Sequence, residues 1–446
     1  MSSLLISGGT IIRVNGEEKA DILIQNGDIS LVDSEGSADQ TIDASGLLIF
    51  PGLIDCHVHF REPGLTHKAT MKSEARAARA GGVTTVCEMP NTSPPTFTAG
   101  ALADKVRLAQ EVTDCDIRFF MGAVAREHLA QLRTVWASLL PEMQRLKARC
   151  CGLKLFLENS TGDLKTDQDL VEEAFRLCAE IDCPIVAHCE DPVLNASANA
   201  AISDQDIATH SLRRPPESEA ASIEHATTLA RRYGTRLHIA HLSAALGLEV
   251  VRRAKEEGLA VTCEVTPHHL LLDTSRYEDL GVFAKMNPPL RSSEDSAALW
   301  QGIADGVIDC IATDHAPHLR EEKKTDSPLA APSGVPGVET MLPLLLTVAA
   351  AGKLSYSDIV RLCFDNPNTI YSLGKEHIAD GADADILIVD PKEEWEIHAV
   401  SLHSLCGWTP FEGAKVRGRV KYVLRKVGGY AVDTQGLTNR ASRGVV

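Results

Sequence analysis

The chain has 446 residues, 44% of them hydrophobic, which is enough for one large domain with a smaller one beside it. Its 61 acidic residues outnumber 44 basic ones, and the formal charge of −17 argues against nucleic acid or an anionic membrane surface as a partner. No stretch reaches the roughly 18 apolar residues of a membrane span, and the N-terminus lacks the pattern of a secretion signal. The 12 cysteines form no CxxC pair, which favours reduced thiols and a cytoplasmic protein.

Residues 1–50 contain short alternating apolar runs with glycine-containing turns, such as ISGGTIIRV (6–14) and ADILIQNGDIS (20–30). This pattern predicts antiparallel strands. From Gly52 onward short apolar runs alternate with segments of helical period, such as 167–180, which predicts parallel strands covered by helices. The predicted strands are 53–58, 83–88, 117–123, 152–157, 184–187, 236–240, 260–265 and 307–312.

Eight strands separated by helices predict an α/β fold in which residues 51–375 form a (β/α)8 barrel of the TIM type. Residues 380–425 return to the strand-turn-strand pattern of the N-terminus. We therefore expect residues 1–50 and 376–446 to pair into one small β-sandwich-like domain beside the barrel. The charges and prolines of 320–334 predict a mobile loop after the eighth strand.

Polar residues cluster at the carboxyl ends of the predicted strands, which converge in a barrel. Imidazole and carboxylate groups are suitable ligands for zinc and similar divalent ions. A His-x-His sequence on a strand also places both rings on the same side, because side chains alternate with a period of two. The candidate metal ligands are His57, His59, Lys154, His188, His241 and Asp314.

Lys154 is unusual because its strand, CGLKLFL, is otherwise apolar. Burial favours the neutral amine, which can react with carbon dioxide to form a carbamate that bridges two metals. Taken alone, such a lysine is more often one whose stem packs in the barrel while its amine pairs with a carboxylate. The histidines and the aspartate at the other strand ends favour the metal-bridging interpretation.

The segment DCHVHFREPG (55–64) resembles the metal-binding signature of the dihydroorotases, a family within the cyclic amidohydrolases. Further segments match the family in the same order along the chain, so the resemblance covers the whole barrel. They are AARAGGVTTVCEMPNTSPP (77–95), GLKLFL (152–157), IVAHCE (185–190), IAHLS (239–243), MNPPLR (286–291), IATDHAPH (311–318) and SGVPGVET (333–340).

The resemblance implies two Zn²⁺ ions. His57, His59 and Asp314 would hold one ion, His188 and His241 the other, and a carboxylated Lys154 would bridge them. It also implies that Arg61, Asn91 and His318 bind the substrate carboxylate with help from Arg291, and that Asn287 contacts the substrate. Ser160 and Thr161 would belong to a lid over the site.

The activity implied is the reversible hydrolysis of dihydroorotate to N-carbamoyl-L-aspartate in pyrimidine biosynthesis, with a metal-bridging hydroxide as nucleophile and Asp314 as general acid and base. One alternative is an allantoinase or a dihydropyrimidinase-like hydrolase, which Arg61 disfavours because those rings lack this carboxylate. Another is a non-catalytic scaffold for aspartate transcarbamoylase, which the intact ligand set disfavours. The family resemblance also implies a homodimer and allows association with aspartate transcarbamoylase.

Overall fold

The structure, a computed structural model, describes residues 3–32, 38–158, 164–427 and 431–432. The N-terminal part of the chain forms seven short strands that are shared between two sheets. They are β1 (Ser3–Ser7), β2 (Thr10–Arg13), β3 (Gly16–Lys19), β4 (Asp21–Gln25), β5 (Asp28–Val32), β6 (Gln40–Asp43) and β7 (Leu48–Pro51).

Eight parallel strands follow, and each pairs with the next one along the chain, as predicted. They are β8 (Leu53–Val58), β9 (Val83–Glu88), β10 (Asp116–Gly122), β11 (Cys150–Phe156), β12 (Ile185–His188), β13 (Leu237–Ile239), β14 (Val261–Val265) and β15 (Cys310–Ile311). A parallel bridge between Val58 and His315, with a 2.8 Å hydrogen bond from His59 N to His315 O, closes the barrel.

Helices cover the barrel with their apolar faces, and α5 is an example. Its Leu170, Ala174 and Leu177 recur at helical spacing and are all buried, as the predicted helix over 167–180 requires. The helices are α1 (Met71–Ala80), α2 (Ala99–Ala109), α3 (Arg126–Ala137), α4 (Pro141–Lys147), α5 (Gln168–Glu180), α6 (Pro192–Ala201), α7 (His210–Arg213), α8 (Pro216–Tyr233), α9 (Ala245–Glu256), α10 (Pro267–Leu271), α11 (Tyr277–Leu280), α12 (Ser293–Ala304), α13 (Arg320–Lys323), α14 (Met341–Ala350), α15 (Tyr356–Val360) and α16 (Asn366–Ile370).

The C-terminal strands β16 (Asp385–Glu396), β17 (Lys415–Val427) and β18 (Ala431–Val432) return to the N-terminal sheets. One sheet has the order β5-β4-β1-β6 and the other the order β18-β17-β16-β7-β2-β3. Isoleucines of both sheets, including Ile6, Ile22 and Ile386, share a core that is separate from the barrel core. The two ends of the chain therefore build one sandwich-like unit, as expected.

The expectation that the N-terminal strands are all antiparallel is wrong for two pairs. Strand β1 pairs with β6, and β2 with β7, in parallel. The reason is that the chain passes from one sheet to the other between β1 and β2, and again in the same direction between β6 and β7. Alternation of apolar residues predicts a strand but carries no information about its direction.

The segment 320–334 also differs from the loop predicted for it. Its first residues form α13, and the Lys323 side chain is fully buried. The ammonium of Lys323 donates to the carbonyls of Lys285 and Pro332 at 3.0 and 2.8 Å. The buried Lys323 side chain thus links two segments of the barrel rim, one at Lys285 and the other at Pro332.

Among the described helices, none is both long and apolar enough to cross a membrane. All 12 cysteines fall in the described part of the chain, where each is buried and unbridged. This agrees with the thiols predicted from their spacing.

Candidate metal centre

The six predicted metal ligands line one pocket at the carboxyl ends of the barrel strands. His57 and His59 lie two residues apart at the end of β8, so their rings share a side. Lys154 comes from β11, and His188 is the last residue of β12. His241 and Asp314 follow β13 and β15 within three residues. All six residues are buried, with relative exposures from 1% for His57 to 8% for Asp314.

The imidazoles of His57 and His59 meet the carboxylate of Asp314. One oxygen of Asp314 lies 2.9 Å from His59 Nε2 and 3.4 Å from His57 Nε2, and the three donor atoms fall within 4.8 Å of one another. Burial would raise the pKa of Asp314, but His57 and His59 hold it well below its usual range. Burial lowers the pKa of His59 to about 4, against the opposing effect of Asp314. Two imidazoles beside a carboxylate suit a divalent ion.

His188 and His241 form a second pair, with His188 Nδ1 2.9 Å from His241 Nε2. Burial lowers the pKa of both rings. The other nitrogen of His188, Nε2, donates to Glu190 at 2.8 Å, so Nδ1 is left as an acceptor that a metal could take. Glu190 is held in turn by Arg214. Burial would raise the pKa of Glu190, but Arg214 and His188 hold it well below its usual range.

Lys154 lies between the two groups without a partner for its amine. Nζ is buried and has no hydrogen bond within the described residues. Burial lowers the pKa of Lys154 to about 8, against the charges of Glu264 and Asp314. An orphaned amine of reduced basicity among four imidazoles fits a carbamate that bridges two ions, which satisfies the buried group.

Glu264 is a functional residue that the sequence analysis missed. It lies in β14 beneath the pocket and is fully buried. Its carboxylate accepts from His57 Nδ1, from His238 Nε2 at 3.1 Å and from the backbone N–H of His241 at 3.1 Å. A single acid within the apolar run VTCEV was the signal that could have found it, because a buried charge needs partners.

Three residues at the centre have a positive φ although they are not glycine. The values are 66° for Arg61, 34° for His241 and 46° for Asp314. Such backbone strain concentrates at functional sites, where the surrounding structure enforces it.

Arg61 extends the pocket beyond the metal ligands. It is 2% exposed, its Nε donates to the carbonyl of Pro317 at 3.1 Å, and it forms no ion pair with any described residue. Burial lowers the pKa of Arg61 to about 10, against the more distant charges of Asp314, Glu88 and Glu322. A buried guanidinium without a carboxylate partner is a suitable binding site for an anion.

Asn91 and Asn287 also line the pocket. The Asn91 side-chain oxygen lies 2.6 Å from His59 Nδ1, so Asn91 orients a predicted metal ligand besides facing the pocket. The Asn287 oxygen lies 2.9 Å from His210 Nε2.

The other two residues predicted to bind substrate, His318 and Arg291, do not line the pocket. His318 contacts Arg61 but is not among the residues that line the pocket. Arg291 is turned away from the pocket, with Nε donating to Ser243 Oγ at 3.0 Å and Nη2 3.9 Å from Glu219. Its role in substrate binding stays a prediction. Ser160 and Thr161, predicted for a lid, lie outside the described residues.

Comparison with known proteins agrees with this site. The sequence profile of the amidohydrolase family matches residues 48–429, and the chain belongs to that family. A dihydroorotase of Halobacterium salinarum is 42% identical over 391 residues, which are 86% of this chain and 87% of that protein. Within the amidohydrolases, the chain is therefore a member of the dihydroorotases.

Two further relatives show the range of the similarity. The multifunctional protein CAD of Squalus acanthias is 38% identical over 380 residues, which are 85% of this chain and 15% of that protein. Among solved structures, an L-hydantoinase (dihydropyrimidinase) of Arthrobacter aurescens matches with a TM-score of 0.88 at 27% identity, covering 98% of each chain. The barrel and its flanking sheets are thus shared with this hydantoinase.

Proposed function

We propose that the protein interconverts dihydroorotate and N-carbamoyl-L-aspartate by hydrolysis and closure of the ring amide. The observation that carries this proposal is the buried guanidinium of Arg61, which lies two residues beyond the proposed metal ligand His59 and forms no ion pair among the residues that the structure describes. A ring that bears a carboxylate can supply the missing partner through two parallel hydrogen bonds. A ring without one would leave the cation buried and unpaired.

The substrate carboxylate is assigned to Arg61, Asn91 and His318. Asn91 uses its oxygen on His59, so its amide N–H groups are the part that can turn to the substrate. This arrangement ties the substrate and a metal ligand to the same side chain. We assign Asn287 to the ring on the basis of its position in the pocket lining.

Two divalent ions, zinc by the chemistry of the donors, would fit this site. His57, His59 and Asp314 would hold one, His188 and His241 would hold the other, and a carboxylated Lys154 would serve both. Ions bound there would supply a water activated for attack at neutral pH and would polarise the ring carbonyl.

Asp314 is the proton carrier in this proposal. Its pKa, held low by His57 and His59, keeps the carboxylate ionised at neutral pH, so one oxygen can accept a proton from the attacking water. Delivery of that proton to the departing ring nitrogen completes the hydrolysis. In the reverse direction Asp314 takes the proton from the ureido nitrogen.

The test is turnover of L-dihydroorotate, dihydrouracil and allantoin by the zinc-loaded protein, with Arg61→Met compared to wild type. We expect wild type to use dihydroorotate alone. Arg61→Met should lower kcat/KM by about 100-fold or more, the effect of removing one partner of a buried charged hydrogen-bonded pair. The matched control is Arg107→Met, since the Arg107 side chain is 69% exposed. Hydrolysis of a neutral ring by wild type, with dihydroorotate untouched, would refute the substrate assignment.

For the assembly we propose a homodimer in the cytoplasm that can associate with aspartate transcarbamoylase. The similarity to one part of a multifunctional protein supports an association with other enzymes. Light scattering gives the mass of the free protein, and co-elution with purified aspartate transcarbamoylase tests the partner. A monomer that elutes alone at every concentration would contradict both parts.

A further inference from the structure

The ring of His318 is held on both sides by charged groups. It is 1% exposed. Nδ1 lies 3.2 Å from Lys68 Nζ, while Nε2 lies 3.1 Å from the carbonyl oxygen of Ser333 and 3.2 Å from Arg61 Nη2. Each contact restricts where the ring can carry its proton.

These partners select one tautomer. An ammonium can only donate, so Nδ1 must be the acceptor that faces Lys68. Nε2 faces two groups, the carbonyl of Ser333, which can only accept, and Arg61 Nη2, which can only donate. A hydrogen on Nε2 satisfies Lys68 and Ser333 together, whereas a hydrogen on Nδ1 satisfies Arg61 alone, so the Nε2–H tautomer satisfies more of these contacts. His318 therefore presents Nε2–H on the side where Arg61 presents its own N–H groups.

A nearby carboxylate would favour the opposite arrangement. Glu322 Oε2 lies 3.8 Å from His318 Nδ1, and its other oxygen accepts from Lys68 at 3.0 Å. Without Lys68, Glu322 would attract a proton to Nδ1, giving either the Nδ1–H tautomer or the imidazolium. Lys68 prevents this in two ways, because it donates a hydrogen bond to Nδ1 and also forms an ion pair with Glu322.

The other cations near the ring act in the same sense. Burial lowers the pKa of His318, and Arg61, Lys68 and Lys323 lower it further. Lys323 donates to two backbone carbonyls and forms no ion pair within the described part of the chain. The ring is thus neutral, with its one hydrogen on Nε2.

We propose that Lys68 is a positioning residue for substrate recognition, because it fixes His318 as the Nε2–H tautomer and so makes His318 and Arg61 a pair of donors for one carboxylate. Arg61 Nη2 and His318 Nε2 are 3.2 Å apart, so an oxygen that accepts from one is within reach of the other. The identity of the ligand rests on the function proposed above, whereas the tautomer does not.

The tautomer can be read by ¹⁵N NMR of histidine-labelled, zinc-loaded protein without substrate, with the His318 signals assigned by their loss in His318→Gln. In wild type we expect an unprotonated Nδ1 and a protonated Nε2. Lys68→Met should move the proton to Nδ1 or add a second one at pH 7. Lys68→Arg retains a donor and should restore the wild-type signals, as should Lys68→Met combined with Glu322→Gln, which removes the competing carboxylate.

Kinetics test the second half of the proposal. We expect Lys68→Met to raise KM for dihydroorotate about tenfold with kcat within about twofold, since the lost hydrogen bond serves ground state and transition state alike. The double variant should recover most of this loss. Wild-type NMR signals in Lys68→Met would overturn the inference, and so would an altered tautomer with an unchanged KM. If wild type ignores dihydroorotate, the proposed function fails while the NMR result still decides the tautomer.

Discussion

Glu190 accepts a 2.8 Å hydrogen bond from Nε2 of His188, and this contact leaves only Nδ1 of that ring free for a metal. Glu264 plays the same part for His57, because it takes Nδ1 and leaves Nε2 facing Asp314. Each of the two groups of metal ligands therefore has one buried glutamate that fixes a histidine tautomer.

Glu190→Gln and Glu264→Gln should each weaken the ion on their own side. Loss of such an orienting carboxylate lowers metal affinity by about 10-fold to 100-fold. Zinc content after dialysis against a competing chelator is the measurement, and anomalous diffraction identifies which ion is lost. Glu224→Gln is the matched control, because the Glu224 side chain is 52% exposed. Retention of both ions by both variants would show that the histidines need no such support.

Lys154 should take up carbon dioxide in the presence of zinc. With a pKa of about 8, the neutral amine makes up about a tenth of the population at pH 7, against well under a thousandth for an ordinary lysine. Uptake by the metal-free protein should rise about tenfold per pH unit up to pH 8 and then level off. ¹³C NMR with labelled bicarbonate detects the carbamate carbon.

Two variants check that assignment. Lys154→Gln should remove the carbamate signal and lower the zinc content, whereas Lys72→Gln, at an exposed lysine of α1, should change neither. A carbamate signal that persists in Lys154→Gln would place the modification elsewhere.

The barrel and its pocket-lining histidines, lysine and aspartate were predictable because five of the strands, β8, β11, β12, β13 and β15, combine an apolar run with a polar residue in or just after the strand, as in β12 with His188. Glu190 stood within the motif IVAHCE and was still not assigned a role, since the sequence does not say which side chain backs which ring. Arg214, which holds Glu190, comes from a distant turn with no motif of its own. The burial of Lys323 was unpredictable for a similar reason, because its partners are backbone carbonyls that any sequence supplies.

Glu219 should make the stability of the metal-free protein depend on pH. Burial raises its pKa from 4.5 to about 7, against the opposing effects of Arg291 and Ser243. A carboxyl group with a raised folded pKa stabilises the fold below its unfolded value, and this contribution is lost as the pH rises through the folded value. Relative to Glu219→Gln, wild type should therefore lose about 3 kcal/mol between pH 4.5 and 7. Urea unfolding at several pH values measures it, and parallel curves for the two proteins would contradict it.

Arg291→Met should affect stability more than substrate binding. The guanidinium donates to Ser243 and to the backbone carbonyl of Arg214, and its Nη2 lies 3.9 Å from the carboxylate of the buried Glu219. We expect a lower melting temperature, partly recovered when Glu219→Gln is added, and a smaller rise in KM than Arg61→Met causes. An effect on KM equal to that of Arg61→Met would mean that Arg291 turns into the pocket when substrate binds.

Only Gly52 separates the last strand of the N-terminal sheets, β7, from the first barrel strand, β8, which carries His57. Gly52 has no room for a side chain, since a Cβ there would lie 2.1 Å from Thr84 Oγ1 and 2.2 Å from Asp385 Oδ1. Its N–H also donates to the carbonyl of Asp385 at 2.8 Å, so both ends of the chain meet the barrel at this point. The barrel therefore depends structurally on the two flanking sheets. A fragment cut at Gly52 would lose the contacts that hold the start of β8 in place. A fusion partner inserted there would displace the strand that carries His57 and leads to His59, two of the proposed metal ligands.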